Sequence, residues 1–229
     1  MTNAGAAETE KWIADKGARY AYGYDKSGKF AEHFGVTGIP HAVLFDPSGR
    51  LVWRGHPAGL TGAEIEKALV GALPKLPWEW EAPLQPAAKL LLKRQYAGAL
   101  AEAKKVGAAG EPLVAAIQGI VKGRVESLQA DKTAGDYLAV SENGAALVKD
   151  LKGLPEEDGV ASLLKELAAD KDAQKVIAGQ KQVRDMLAEK IKKRDLPNVL
   201  KKLEKLKADN EGNAAGRDAQ AAIDTLRRA

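Results

Sequence analysis

The first third of the chain changes from a helical to an extended hydrophobic pattern and back. Residues 5–17 place their apolar side chains on one side of a helix and end in glycine, which predicts an amphipathic helix. Residues 19–25 carry a tyrosine at every second position and predict a short strand. Residues 29–34 predict a second helix, which the glycine after it would end.

A hairpin and a capped helix are predicted next. Residues 41–45, His-Ala-Val-Leu-Phe, predict a buried strand, and residues 46–49, Asp-Pro-Ser-Gly, predict a type I turn with glycine at its last position. Residues 51–54 predict the antiparallel return strand. The Thr61–Leu73 segment predicts a helix, because its first residue is followed three positions later by Glu64, the spacing of a capping box.

A proline-rich connector follows this α/β part. Four prolines surround Trp78 and Trp80, and proline disfavours helix and restricts the residue before it. We therefore predict an extended connector at 74–85, with the two tryptophans packed against one of the neighbouring domains. A peptide-binding role for the tryptophan pair is the alternative.

From residue 86 onward every segment has a helical pattern. Alanine, leucine, lysine and glutamate dominate, and apolar residues recur at spacings of three and four. The predicted helices are 86–106, 110–131, 134–152, 158–169, 171–194, 196–208 and 214–228. The predicted fold class is therefore α/β followed by all-α, with an α/β unit at 1–73, the connector at 74–85 and a helical domain at 86–229.

A faint internal repeat runs through the helical domain. With an offset of about 59 residues, Leu128, Val140, Leu147, Leu164 and Leu167 align with Leu187, Val199, Leu206, Ile223 and Leu226. Such self-similarity predicts stacked helical hairpins of a repeat-like array.

The net charge of the chain lies in its helical part. The sequence has 35 Lys and Arg and 31 Asp and Glu, a formal net charge of +4. Residues 1–73 hold eight of each sign, so 27 basic and 23 acidic residues remain for the rest. Basic runs such as 190–194 are local and contain no aromatic residue, which favours a solvated helix face over a nucleic-acid surface.

Composition disfavours several protein classes. No window approaches about 18 continuous apolar residues, so no transmembrane helix is expected. The N-terminus lacks the basic and apolar regions of a signal peptide. The sequence has no cysteine, which excludes disulfides, thiolate metal ligands and cysteine nucleophiles within this chain.

The three histidines are the candidate metal ligands or bases. His33 lies on a predicted helix, His41 opens the first hairpin strand and His56 follows the second. Their spacing matches no metal motif such as H-x-x-x-H, so we predict ordinary surface or edge histidines and no metal or cofactor site.

Other catalytic patterns are also absent. There is no Gly-x-Ser-x-Gly, and Gly107-Ala-Ala-Gly110 lacks the Lys-Ser/Thr and the preceding strand of a phosphate-binding loop. The acidic run 156–158 suits a helix N-terminus, where carboxylates are favoured. An aromatic platform formed by Trp12 with the tyrosines of 19–25 is conceivable, but sheet packing is the default for such residues.

Several elements of the first 73 residues occur in the order of a known fold. The positions that match are Asp25, Phe34-Gly35-Val36, Gly38-Ile39-Pro40, Ala42-Val43-Leu44-Phe45, Asp46, Gly49 and Leu51-Val52. This segment, about a third of the chain, resembles the C-terminal half of a thioredoxin-like domain of the TlpA type, the extracytoplasmic thiol–disulfide oxidoreductases. The helix from Thr61 corresponds to the family's terminal helix.

The resemblance implies a substrate groove at Ile39 and Pro40. In the family this proline follows a cis bond and shapes the groove, and the residue before it pairs through its backbone with a substrate strand. A cis bond is readily accessible only before proline. A proline that merely ends a loop is the alternative.

The chain departs from the family where the chemistry would lie. Nothing corresponds to the family's first strands or to the helix that begins with Cys-x-x-Cys. Without those strands, the predicted strand 41–45 would have an uncovered edge, which favours association. Either the chain is a fragment, or a miscalled start, of a longer reductase, or it is a truncated module whose sheet is completed by its own helices or by a partner.

Three functions stay open at this point. The resemblance implies a member or fragment of a thiol–disulfide oxidoreductase of the cell envelope, periplasmic or extracytoplasmic, which is redox-inactive here because it has no cysteine. The alternative is a non-enzymatic protein-interaction module, and a basic nucleic-acid-associated protein is a third possibility. We expect a protein partner or substrate and no nucleic acid.

Overall fold

The structure is a computed structural model that describes residues 5–17, 23, 25–36, 38–47, 49–70, 72–75, 79–188, 191–192 and 194–228. The backbone contacts divide the chain into two units, residues 1–70 and residues 71–229.

The N-terminal unit combines three helices with one β-hairpin. Its elements are α1 (Ala6–Lys16), α2 (Lys29–His33), β1 (Ala42–Phe45), β2 (Leu51–Gly55) and α3 (Gly62–Ala68). All five correspond to predicted elements. The predicted strand 19–25 lies largely outside the described residues, and within those residues the sheet has two strands.

The hairpin is antiparallel and contains a bulge. Ala42 is opposite Gly55 and Leu44 is opposite Trp53, whereas Phe45 is opposite Leu51. Val52 is therefore the extra residue on β2. A bulge increases the local twist of a strand and is common at sheet edges.

The capping box that the sequence predicts is present at α3. The Thr61 backbone N–H donates to Glu64 Oε2 at 2.8 Å, and the Glu64 backbone N–H donates to Thr61 Oγ1 at 3.3 Å. The helix ends at Ala68, earlier than the predicted end near Leu73. The capping box determines where this helix begins, whereas its C-cap is Leu69, which has none of the left-handed preference of a glycine cap.

The C-terminal unit is helical throughout its described residues. Its helices are α4 (Gln85–Leu92), α5 (Tyr96–Lys105), α6 (Glu111–Ala134), α7 (Tyr137–Asp150), α8 (Glu156–Ala169), α9 (Lys171–Ala188), α10 (Leu196–Asp209) and α11 (Ala214–Arg228). The chain thus consists of a mixed α/β unit with a small antiparallel sheet, followed by an all-helical unit.

Two predicted helices differ from the structure. The predicted helix 86–106 is two helices, α4 and α5, because the chain turns at Arg94, which has a positive φ of 58°. The turn is closed by hydrogen bonds from the backbone N–H groups of Arg94 and Gln95 to carbonyls of α4. The predicted helix 171–194 ends at Ala188.

The hydrophobic core of the C-terminal unit is continuous from the connector to α9. Trp80 is buried in this cluster together with residues of α4 to α9, and Ile117 and Leu151 are fully buried there. The packing predicted for the connector tryptophans is therefore confirmed for Trp80, whereas Trp78 lies outside the described residues. A second cluster joins α9, α10 and α11 around Leu203 and Ile223.

The repeat predicted from the sequence is visible in the helix boundaries and in the pairing of α7 with α8 and of α10 with α11, but not in the packing of the helix before each pair. An offset of 59 residues superposes the bounds of α7 on those of α10 and brings α8 to within one residue of α11. However, α6 packs on α7, whereas α9 packs chiefly on α11 and on α7. Leu128 is accordingly buried, and its repeat partner Leu187 is 43% exposed.

Candidate functional site

The Gly38-Ile39-Pro40 segment lies at the surface immediately before β1. The Ile39–Pro40 peptide bond is cis, the isomer that the resemblance implies at this position. The Ile39 side chain is 86% exposed, more than that of any other large hydrophobic residue among the described residues. The position thus offers a water-exposed aliphatic side chain on a backbone segment that leads into a strand.

An aromatic cluster packs on Phe45, the last residue of β1. The Phe34 ring lies between Phe30 and Phe45, with centroid distances of 4.7 Å and 5.5 Å. Asp25 holds α2, which contains Phe30 and is followed directly by Phe34. Its carboxylate accepts a hydrogen bond from the Ala31 backbone N–H at 2.9 Å. The aspartate of the family pattern therefore has a structural role in this chain.

A groove of about 500 Å³ lies between the hairpin and α3. The strand side is formed by Leu51, Val52 and Trp53, and the helix side by residues of α3. The groove is lined by two acidic and two basic side chains, so its charges are balanced: Asp46, Glu64, Arg50 and Lys67. We call this feature the hairpin–α3 groove.

The N-terminal unit exposes most of its large hydrophobic residues. Among the described residues, the exposed ones in this unit are Trp12, Phe30, Ile39, Phe45, Leu51, Val52, Ile65, Leu69 and Val70, compared with Leu92 and Leu187 in the helical unit. Ala68 is the one hydrophobic residue of this unit that is buried within the part described.

Hydrogen bonding lowers the pKa of one carboxyl group that lines the groove, that of Glu64. The bonds that Glu64 accepts from the Thr61 backbone N–H and then from the Thr61 hydroxyl lower the pKa of Glu64. A lowered pKa means that the ionised cap stabilises α3 at neutral pH and that this contribution is lost as the pH falls through the lowered pKa.

The three histidines do not form a common site. His33 packs edge-on against Phe34, and His56 Nδ1 accepts a hydrogen bond from the Ala58 backbone N–H at 3.2 Å. His41 Nε2 is buried without a hydrogen-bond partner. Within the described residues, no group of three or more His, Asp or Glu side chains could hold a metal ion.

The remaining candidates from the sequence are the acidic run 156–158 and the aromatic residues near the N-terminus. The acidic run 156–158 lies in the first turn of α8, and Glu157 also accepts a hydrogen bond from the Gly153 backbone N–H at 2.8 Å. The three tyrosines of 19–25, for which sheet packing was predicted and an aromatic platform was the alternative, lie outside the described residues, whereas Trp12 is 46% exposed.

The helical unit contains a polar cluster that sequence reasoning missed. Arg124 of α6 donates to the Tyr96 hydroxyl at 2.9 Å and to Asp150 Oδ2 at 2.5 Å, which links α5, α6 and α7. Burial opposes the charge of Arg124, but its hydrogen bond to Asp150 and the attraction of Tyr96 and Asp150 raise its pKa above the ordinary value. A sequence signal exists, since Arg124 continues the buried series Ile117 and Val121 at helical spacing.

A buried amide forms a second polar cluster. Gln180 of α9 accepts from the Leu138 backbone N–H at 3.0 Å and donates to Asp136 at 3.0 Å and to Asp218 at 2.9 Å. Its side chain thereby joins α7, α9 and α11. Because every polar atom of this amide has a partner, the cluster fixes the register of three helices.

No described helix has the length and apolar character needed to cross a membrane. Comparisons with known proteins give no match: no protein-family model fits the chain, and no curated protein and no solved structure is significantly similar to it. The thioredoxin-like resemblance therefore stays a prediction from the sequence.

Proposed function

We propose that this chain is a non-catalytic protein-binding module in which a thioredoxin-like unit of the TlpA type binds a polypeptide segment. The observation that carries the proposal is the exposed apolar surface of the N-terminal unit, above all Ile39 beside Pro40. The order of α1, α2, Ile39-Pro40, β1, β2 and α3 agrees with the family pattern. The helical unit is the rigid scaffold that carries this module.

Polypeptide is the ligand class that suits this surface. Its side chains are aliphatic and aromatic, its rim charges balance, and residues 1–73 have no net charge. A polyanion would find no net opposite field here, whereas an unfolded segment can bury its apolar side chains against the surface. The absence of cysteine leaves no thiol for disulfide exchange within the chain.

The proposal is tested with an unfolded protein whose cysteines have been alkylated, labelled for fluorescence anisotropy. We expect binding to the intact chain, and we expect Ile39→Ser to weaken it by at least about tenfold, because burying an isoleucine contributes about 1.5–3 kcal/mol. Leu92→Ser is the matched control, because Leu92 is also strongly exposed but lies in the helical unit. Absence of binding, or an equal loss in the two variants, would contradict the proposal.

The second candidate is the redox one, in which the chain belongs to a longer thiol–disulfide oxidoreductase. It is favoured by the order of the elements, which agrees with the family pattern. We expect the chain by itself not to reduce insulin in the presence of dithiothreitol. Insulin reduction faster than that by dithiothreitol alone would show that the chain takes part in thiol chemistry. This result would contradict the proposal that it only binds polypeptide.

A further inference from the structure

The net charge of the protein is concentrated around α10. Residues 190–207 hold eight of the 35 basic residues and two of the 31 acidic ones. This stretch therefore has a net charge of +6, and the other 27 basic and 29 acidic residues leave the rest of the chain at −2. The net charge of these eighteen residues thus exceeds the net charge of the whole chain, which is +4.

Helix α10 carries four of these eight basic residues, Lys201, Lys202, Lys205 and Lys207, all at exposed positions. Leu203 and Leu206 are buried against the neighbouring helices, whereas Lys201, Lys202 and Lys205 are exposed. The positions 201 and 205 are one helical turn apart, so their ammonium groups lie side by side. We call the three lysines the cationic face of α10.

The three lysines of the cationic face have no carboxylate partner among the described residues, as is also true of other exposed lysines such as Lys89 and Lys165. Lys105, Lys132 and Lys175 pair with carboxylates of their own or a neighbouring helix. In the described part of the chain, Lys192 and the three lysines of the cationic face make no ion pair. Like charges one turn apart destabilise a helix, so the cluster has a cost within the free protein that a bound anion would relieve.

The nearby groove between α10 and α11 is not the centre of this surface. It has a volume of about 600 Å³ and is lined by Lys207, Arg217 and Arg227 together with two glutamates. Arg227 is paired with Glu204 at 2.7 Å, and Arg217 donates to the Ala134 carbonyl. Lys207 makes no ion pair in the described residues but is a single lysine there, so the cluster of unpaired lysines lies on the outer face of α10.

We propose that the cationic face of α10 binds the phosphate backbone of a nucleic-acid duplex without reading its sequence. A duplex carries about one negative charge per 1.7 Å of axis, so the 14-residue α10, about 21 Å long, spans on the order of ten phosphates. The basic run contains no aromatic residue, which on the sequence alone favoured a solvated helix face. Without aromatic side chains the face cannot stack on the bases of a single strand, but lysines can still contact the phosphates of a duplex.

The composition of the face also distinguishes a duplex from a membrane. Surface helices that bind lipid insert apolar side chains beside their basic residues. The exposed positions of α10 are Pro197, Asn198, Lys201, Lys202, Glu204, Lys205, Lys207, Ala208 and Asp209. None of these is a large apolar residue that could insert between lipid headgroups.

The experiment measures binding of the intact chain to labelled DNA and RNA duplexes of about two helical turns, at salt from about 50 to about 200 mM. Three phosphate contacts weaken binding about 40-fold over this range, and we expect at least that loss. The variant Lys201→Gln/Lys202→Gln/Lys205→Gln should lower the slope of log affinity against log salt by about 2 to 3. Similar slopes for DNA and RNA would show that backbone charge alone is recognised.

The matched control removes the same charge elsewhere. Lys89→Gln/Lys152→Gln/Lys165→Gln changes three exposed lysines of the helical unit that make no ion pair in its described part. This control should keep the wild-type slope, and circular dichroism should show both variants to be folded. An equal loss in the two variants, no binding at the lowest salt, or tighter binding to polyglutamate or phosphatidylserine vesicles than to either duplex would overturn the proposal.

Discussion

At the scale of single residues, the helical unit depends on polar side chains inside a largely aliphatic core. Arg124 is the clearest case, because its side chain is 15% exposed and its two partners come from two other helices. Asp150 lies at the C-terminal end of α7, where a negative charge is unfavourable, and Arg124 offsets that charge. The ion pair therefore has a local electrostatic reason as well as a packing one.

We expect Arg124→Met to lower the free energy of unfolding by about 2–3 kcal/mol, measured by urea denaturation. The variant leaves the Asp150 carboxylate and the buried Tyr96 hydroxyl without this partner, and breaking a buried pair typically costs about 3–5 kcal/mol before the partial exposure of Asp150 is considered. Arg94→Met is the control. Arg94 is 3.9 Å from the same carboxylate but 64% exposed, so its loss should cost less than about 1 kcal/mol. Equal effects of the two substitutions would show that the ion pair between Arg124 and Asp150 does not stabilise the fold.

At the scale of elements, close approach between helices depends on glycines at their crossing points. A Cβ at Gly179 of α9 would lie 2.7 Å from Ala215 Cβ of α11, a distance that real Cβ atoms do not reach. At Gly159 of α8 a Cβ would meet no atom within 4 Å. Both glycines lie within helices, so their different surroundings separate the packing contribution from helix propensity.

Gly179→Ala should therefore destabilise the protein by about 1–3 kcal/mol, the usual range for overpacking. Gly159→Ala should stabilise it by up to about 1 kcal/mol, because alanine is the better helix former. Thermal and urea unfolding of both variants measure the difference. The double variant Gly179→Ala/Ala215→Gly should recover part of the loss, and no recovery would mean that the α9–α11 contact is not the cause.

At the scale of the whole molecule, hydrophobic burial is distributed unequally between the two units. Apart from Ala68, every hydrophobic residue that is buried within the described part lies between Trp80 and Ile223. The N-terminal unit has its elements and its capping box, but it buries little apolar surface by itself. Stability of a domain comes mainly from such burial, so the two units should respond differently when they are separated.

We expect residues 71–229, expressed alone, to unfold cooperatively in urea at the same midpoint as the helical signal of the intact chain. Residues 1–70 alone should give no cooperative transition, because the described part of this unit has too small a core to offset its conformational entropy. Circular dichroism of both fragments measures this. A cooperative transition of 1–70 would show that the unit has a core of its own and would weaken the argument that its apolar surface awaits a partner.

The sequence by itself determined the local structure of this protein. The capping box at Thr61, the turn after β1 and nearly all helix positions follow from patterns within a few residues, because caps, turns and amphipathic periods are local interactions. The split between α4 and α5 was missed because Arg94 adopts a left-handed conformation that its residue type does not signal.

Only the tertiary structure decided which surfaces are covered. The 59-residue repeat places the helix ends correctly, yet Leu187 is exposed where Leu128 is buried, since burial depends on which helices pack together. For the same reason the sequence could indicate Ile39 and Pro40 but not the exposed apolar surface around the hairpin. It likewise predicted a solvated basic run, whereas the unpaired lysines of α10 became evident once their neighbours were known. Side-chain partners distant in sequence are set by packing, and packing is a property of the whole fold.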